Sequence, residues 1–303
     1  MKNGLVRVKI ASSDGRISSA QISCERPDVT PCLRGQTKAG VLQRISLLYA
    51  LCGKAQLRAA QLALAASTGE ECMPLIDAEV QREAMREHLW HCLIVMPALS
   101  GKTQQNEEFV RAAKWIAEGR CAELHEWLKS ADLTRVPQDE AFVVNPLPRL
   151  DAKSSLAEWP RLTEEFCRHP TWRGVPAETA AISRINTING NRARFDILRS
   201  WAAGEGPSGG TVSSVNVAPG VGRALVETAR GMLMHEVELD GERVADYRIV
   251  APTEWNFHPK GALAKYLMGQ PTGARGELER RIARFVAELD PCVPWELKWD
   301  EVL

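Results

Sequence analysis

The sequence predicts an α+β fold, mainly α, laid out as one domain over residues 1–303. Three observations carry this expectation. Apolar and polar residues alternate on either side of Asp14-Gly15 and again on either side of Asp240-Gly241, the signal of a strand, a tight turn and a second strand, so two peripheral β-hairpins are expected. Apolar residues recur at steps of three and four through most of the first half, the period of helices that bury one face. A 45% apolar composition over 303 residues supplies enough surface for a substantial core.

Taken in order, "LVRVKIASSDGRISSAQISCE" is the first hairpin. From Lys38 onward, Val41, Ile45, Leu48 and Cys52 share one helical face that ends at the cysteine, where Gly53 stops or turns the chain. "QLRAAQLALAAS" is an alanine-rich helix whose small side chains let a neighbour approach closely. "DAEVQREAMREHLWHCLIVMPALSG" reads as one long amphipathic helix closed by Pro97 and Gly101, and "NEEFVRAAKWIAEG" and "RCAELHEWLKSA" read as two shorter ones. Pro137, Pro146 and Pro148 mark an irregular connection, after which helical signals return up to about Ala203. "GEGPSGGTVSSVNVAPGVG" is expected to be a glycine-rich loop and "GMLMHEVELDGERVADYRIV" the second hairpin. A last helix, "GELERRIARFVAELD", delivers the chain to Pro291-Cys292.

Thirty-eight basic residues balance thirty-eight acidic ones, so no broad phosphate-binding surface and no nucleic-acid partner are expected. The start "MKNGLVRVKIASSDGR" has no signal-peptide run, and no stretch of about 18 apolar residues suggests a membrane span, so a cytoplasmic location is expected. The eight cysteines, Cys24, Cys32, Cys52, Cys72, Cys92, Cys121, Cys167 and Cys292, contain no Cys-X-X-Cys pair. In that compartment they should be reduced, most of them as small buried apolar residues. Asp290-Pro291-Cys292 raises a different question, because it stands where a Cys-X-X-Cys metal clip could begin and Trp295 takes the second place.

Around that cysteine, motifs accumulate. Glu227, Thr228, Ala229, Arg230 and Gly231 are followed by His235, then by Pro252, Thr253, Glu254, Trp255 and Asn256, and after a further helix by Asp290, Pro291 and Cys292. This order and spacing resembles the C-terminal part of nickel–iron hydrogenase large subunits, which carry Glu-Ala-Pro-Arg-Gly, a His after a short strand, Pro-Thr-Thr-Trp-Asn and a terminal Asp-Pro-Cys-x-x-Cys. "CLRGQTKAGVLQRISLLYALCGKAQ" is similar to the family's run into Arg-x-Cys-Gly-x-Cys, with Cys52 and Gly53 matched and Ala55 at the second cysteine. The two motif-bearing segments span about 20–66 and about 222–303 and flank a middle much shorter than the family's. The resemblance implies a hydrogenase large-subunit-like helical core.

In that family four cysteines hold a nickel and an iron that carries two cyanides and one carbon monoxide. The first cysteine of each pair binds nickel alone, and the second bridges the metals. The resemblance therefore implies Cys52 and Cys292 as metal ligands, with Ala55 and Trp295 in place of the bridges, so that neither nickel nor hydrogen turnover is expected. The glutamate before the family's first motif falls near Thr30, the histidine after its last cysteine falls at Lys298, and no cleavable tail is expected after Leu303. Arg230 matches the arginine that donates to one cyanide, and Pro252-Thr253 the segment that donates to the other. Metal-bound cyanide is anionic, and a planar guanidinium gives it a strong, fixed, charge-assisted bond.

This pattern resembles the HupK/HoxV branch of hydrogenase accessory proteins. It implies a non-catalytic scaffold or chaperone that receives iron with two cyanides and one carbonyl, Fe(CN)2CO, from earlier maturation proteins and passes it to the apo large subunit. Two soft thiolates suit a carrier that must release what four would retain. Other readings of the same residues stand beside this one. Cys52 can be a buried structural thiol, Arg230 an ion-pair partner of Glu227, and Thr253 a cap before Trp255. His88, His91 and Cys92 lie at helical spacing and are expected to pack rather than bind metal, and His235 is expected to be hydrogen-bonded rather than a base. Cys24 and Cys32 lie close enough to the first motif to assist a transfer. For the whole chain, the alternatives are a cofactor-free interaction subunit and a divergent hydrogenase-like oxidoreductase.

Overall fold

The structure, a computed structural model, describes residues 4–49, 51–131, 149–151, 171–173, 190–205, 210–257, 259 and 262–300. The first hairpin is β1 (Leu5–Ser13) and β2 (Arg16–Glu25), with Asp14 and Gly15 both at positive φ, as a tight two-residue turn requires. Helix α1 (Lys38–Leu48) starts at Thr37, whose hydroxyl accepts the Gly40 N–H at 3.2 Å. Helix α2 (Gly53–Ala66) follows, and then β3 (Cys72–Ile76), a strand with no counterpart in the sequence reading.

Helix α3 (Ala78–Trp90) is capped by Asp77, which accepts the N–H groups of Glu79 and Val80. The expected long helix passes through Pro97 instead of closing on it: a π turn over His91–Val95 leads into α4 (Met96–Leu99). A proline removes one helical N–H and crowds the carbonyl four residues before it, and the widened turn absorbs both. The freed Leu93 carbonyl accepts the Gln105 N–H at 3.0 Å. Helices α5 (Asn106–Glu118) and α6 (Cys121–Ser130) form as expected. The proline-marked connection lies outside the described residues apart from β4 (Arg149–Asp151), which pairs in parallel with β5 (Thr171–Arg173), a strand inside the stretch expected to be helical up to about Ala203. Helix α7 (Gly190–Ala202) packs against α3 and α6.

Beyond α7 the fold departs from two expectations. The glycine-rich stretch is not a loop: Thr211–Ala218 is β6 and Val221–Thr228 is β7, joined at Pro219-Gly220. Its glycines sit at the ends, Gly210 and Gly220 at positive φ, while the Thr and Val between them favour a strand. Nor is the second hairpin, β8 (Gly231–Asp240) and β9 (Arg243–Val250), peripheral. It completes an antiparallel sheet in the order β3-β6-β7-β8-β9, so the fold holds more strand than "mainly α" implies. β8 is buried from Gly231 to Val237, and Arg223 and Glu236, opposed in the register, form a buried ion pair.

The alanines of α2 explain how that sheet is covered. Ala59, Ala60 and Ala63 pack in one core with Ala224, Val226, Leu233 and Val237, and their small side chains bring the helix down onto β7. At Gly222 the approach is limiting, since a Cβ there would lie 2.0 Å from the Ala63 carbonyl oxygen and 2.2 Å from the Ser67 nitrogen. Backbone atoms cannot swing aside as a side chain can. Gly222→Ala is therefore expected to cost about 3 kcal/mol, the upper end for overpacking, read as a lower urea midpoint at unchanged slope.

After β9 come α8 (Pro252–Asn256), α9 (Ala262–Leu267) and α10 (Arg275–Leu289). The chain then forms β10 (Trp295–Trp299), which lies parallel to β1 and makes a three-stranded sheet in the order β10-β1-β2. Trp295 pairs with Val6, and Val6 pairs on its other side with Cys24. Val6, Val8 and Ile10 share a core with Phe257, Leu263 and Phe285, so the two ends of the sequence are one packed unit.

Candidate functional site

Cys52 lies beyond α1, not on its face. Tyr49 leaves the helix in an extended conformation, and Cys52 arrives at the N-cap of α2. No side chain of that turn caps α2; Glu83 of α3 does so, its two carboxylate oxygens accepting the N–H groups of Lys54 at 2.8 Å and Ala55 at 3.0 Å. Ala55, where the resembled family has a cysteine, is buried. Gln56 Nε2 lies 3.8 Å from the Cys52 sulfur.

Cys292 is placed from the other end of the chain. α10 ends on Asp290 in the left-handed region at φ 51°, one of two described non-glycine residues there, and Pro291 carries the chain outward. The Thr253 hydroxyl accepts the Cys292 N–H at 3.2 Å and donates to its sulfur, also at 3.2 Å. Pro252 starts the short helix that presents Thr253. Both thiols are partly buried. Burial pushes the Cys52 thiol up to about 11; Cys292 and Glu83 add to the rise, and Arg230 opposes it.

Arg230 occupies the two-residue turn between β7 and β8. Its partner is not Glu227. Nη2 donates to Glu87 Oε2 at 3.0 Å, and Nε lies 3.2 Å from Asp290 Oδ2 and donates to the Asp290 carbonyl at 3.1 Å. Arg194 Nη1 lies 3.8 Å from the same Asp290 oxygen. Burial works to raise the Asp290 carboxyl, but Arg230 and Arg194 hold it well below the ordinary carboxylate range. His88 and His91 belong to this network. Arg194 Nη1 donates to His88 Nδ1 at 3.1 Å, which fixes that nitrogen as an acceptor, and burial followed by Arg194 pushes both histidines down, His91 to about 4. Among the described residues, no group of three or more His, Cys, Asp or Glu could hold a metal ion.

Glu83, Glu87 and Arg194 were not singled out from the sequence. One signal was available for part of this: Glu87 and His91 stand four residues apart, hence on one face of a helix. Glu227, matched by the motif, is buried away from Arg230, and burial raises its carboxyl to about 7. Seven described cysteines are free thiols, Cys24 and Cys32 among them, the first partly buried and the second exposed.

His235 is wholly buried and fully paired, with Nε2 on Gln56 Oε1 at 2.8 Å and Nδ1 on the Tyr247 hydroxyl at 2.9 Å. Because the amide oxygen accepts, Nε2 carries the proton and Nδ1 accepts from tyrosine, so the ring is neutral and structural. Burial lowers its pKa to about 3. Below pH 6.5 the unfolded chain then binds a proton that the folded chain refuses, and stability falls as pH drops from 6.5 towards 3, by roughly 5 kcal/mol in full. His235→Gln should flatten that limb in urea titrations taken across this range.

Residues 210–294 match the nickel-dependent hydrogenase family. Over 97% of this chain and 98% of its own, the hydrogenase expression/formation protein HupK of Azotobacter vinelandii is 29% identical. The corresponding HoxV protein of Cupriavidus necator is 27% identical over 93% of each. The chain is a relative of the HupK/HoxV proteins. Its fold is that of the hydrogenases: the Ni-Fe-Se hydrogenase of Desulfovibrio vulgaris Hildenborough superposes with a TM-score of 0.56 at 12% identity, covering 93% of this chain and 94% of the other. The enzyme from Desulfomicrobium baculatum gives 0.52 at 11%, covering 93% and 95%. Among the described residues of this HupK/HoxV relative, no helix is long and apolar enough to cross a membrane.

Proposed function

We propose that the protein is a non-catalytic scaffold of nickel–iron hydrogenase maturation. Its relatives are named hydrogenase expression/formation proteins, and those names support a role in maturation and not in hydrogen turnover. In this reading Cys52 and Cys292 transiently hold an iron with two cyanides and one carbonyl as cargo, received from an earlier maturation protein and delivered to an apo hydrogenase large subunit.

The observation that supports the reading is at Cys292, whose nitrogen and sulfur are both held by Thr253 and whose neighbour Asp290 holds Arg230, with Cys52 at the N-cap of α2 feeling the charges of both Cys292 and Arg230. Two thiolates bind low-spin iron, and a hydroxyl and a guanidinium suit cyanide. Thr253 now donates to the Cys292 sulfur, so cargo binding would redirect that hydroxyl, whereas Arg230 is already fixed by Glu87 and Asp290. With Ala55 and Trp295 in place of further sulfurs, the holding is weak enough for release. Infrared spectra of protein co-produced with hydrogenase maturation proteins test the reading, since cyanide and carbonyl stretches fall where protein is nearly transparent. Their absence from freshly isolated anaerobic protein would favour a cofactor-free interaction protein.

A further inference from the structure

The network around Arg230 leaves a charge to be explained. Two thiolates and two cyanides bring four negative charges that one iron ion does not cancel. Arg230 and Arg194 are already matched by Glu87 and Asp290, so they offer geometry more than surplus charge. A further cation stands nearby. Arg26 follows directly on β2, two residues after Cys24, in the register that links Cys24 through Val6 to Trp295. Adjacent strands lie about 4.8 Å apart, so the end of β2 and the Cys292 segment lie at the same edge of the sheet, two strand spacings or about 10 Å apart.

Its side chain is 14% exposed, and its ion-pair partner among the described residues is Glu254, with Nη1 3.3 Å from Oε1. Glu254 is the neighbour of Thr253, the residue that holds Cys292 at both nitrogen and sulfur. The other oxygen of Glu254 accepts the Ala251 N–H at 2.9 Å, which fixes the carboxylate and through it the guanidinium. Burial works against the Arg26 charge, while Glu254, Cys292, Tyr49 and Cys24 favour it, so the guanidinium shares its surroundings with two of the thiols. A half-paired guanidinium in a largely buried position suits an anion that arrives later.

We propose that Arg26, oriented by Glu254, is the cation that retains the anionic cargo at Cys52 and Cys292. The proposal rests on the scaffold reading and adds a specificity to it: the pocket would select an iron that bears anionic diatomic ligands over a bare iron ion. Glu254 competes with the cargo for the same guanidinium and so keeps the holding reversible.

The test uses the full chain, co-produced with the maturation proteins and isolated anaerobically, with infrared bands and iron retention during desalting as readouts. Arg26→Gln should shift at least one cyanide stretch and lose iron about tenfold faster, the scale of one charge-assisted bond. Arg26→Lys should restore part of the retention. Glu254→Gln keeps an acceptor for the Ala251 amide and should slow the loss, an effect of opposite sign that a merely structural role does not produce. Folded Arg26→Gln with wild-type bands and retention would overturn the proposal alone, as would faster loss in Glu254→Gln, which also decides the matter if Arg26→Gln does not fold. Wild-type protein without cyanide bands would overturn the scaffold reading and this proposal together.

Discussion

Cys52→Ala and Cys292→Ala should each abolish the cyanide and carbonyl bands and halt maturation of the partner hydrogenase. One thiolate with outer hydrogen bonds cannot retain a complex that two thiolates hold only reversibly. Neither substitution should unfold the protein. Both thiols are partly exposed, and neither belongs to one of the three apolar cores. Cys121→Ala, at the first turn of α6, is the control and should keep both bands and maturation. Wild-type maturation by folded Cys52→Ala and Cys292→Ala would leave the interaction reading standing in place of the scaffold.

Arg230→Ala should be costly in a different currency. It leaves Asp290 buried without its main counter-charge and Glu87 with only the more exposed Arg86, and breaking such a buried pair from one side typically costs 3–5 kcal/mol. The pH dependence carries the signature. Asp290, with its folded pKa depressed, contributes stability that is present above the unfolded value of about 3.9 and is lost as pH falls through the folded value. Without Arg230 the folded pKa rises, so that contribution shrinks at neutral pH and acid unfolding moves to higher pH. Urea titrations between pH 3 and 7 read both effects. Stability at pH 7 equal to wild type would mean that Arg230 is not a structural keystone and acts on the cargo alone.

Much of the site was legible in the sequence because its parts are short runs with fixed local geometry. Asp290-Pro291-Cys292, Pro252-Thr253 and Cys52-Gly53 were singled out by their resemblance, in order and spacing, to the motifs of hydrogenase large subunits. The ion pairs were not. Glu87 and Arg230 are 143 residues apart, and nothing local to either side chain names its partner; Glu227, the near neighbour, was the natural wrong choice. The hairpins at Asp14-Gly15 and Asp240-Gly241 were legible because alternation and turn residues coincide there. β6 and β7 were not, because glycines at strand ends resemble a flexible linker and a strand buried on both faces loses its alternation. β10 was hidden for a related reason: five residues of Trp, Glu, Leu, Lys and Trp become a strand by pairing with β1, a partner almost three hundred residues away.

That pairing sets an order of events during biosynthesis. The strand that completes the sheet of β1 is translated almost three hundred residues after β1 itself. At roughly 5–20 residues per second, somewhere between about 15 seconds and a minute separates them. Throughout that interval one edge of β1 stands open, and for most of it the nascent chain has Cys52 without Cys292. If the two thiols hold cargo together, a chain that has not yet made Cys292 takes up none. In the scaffold reading, a product cut short before Cys292 keeps the first thiol but not the second, and it would drop out of the relay without blocking it.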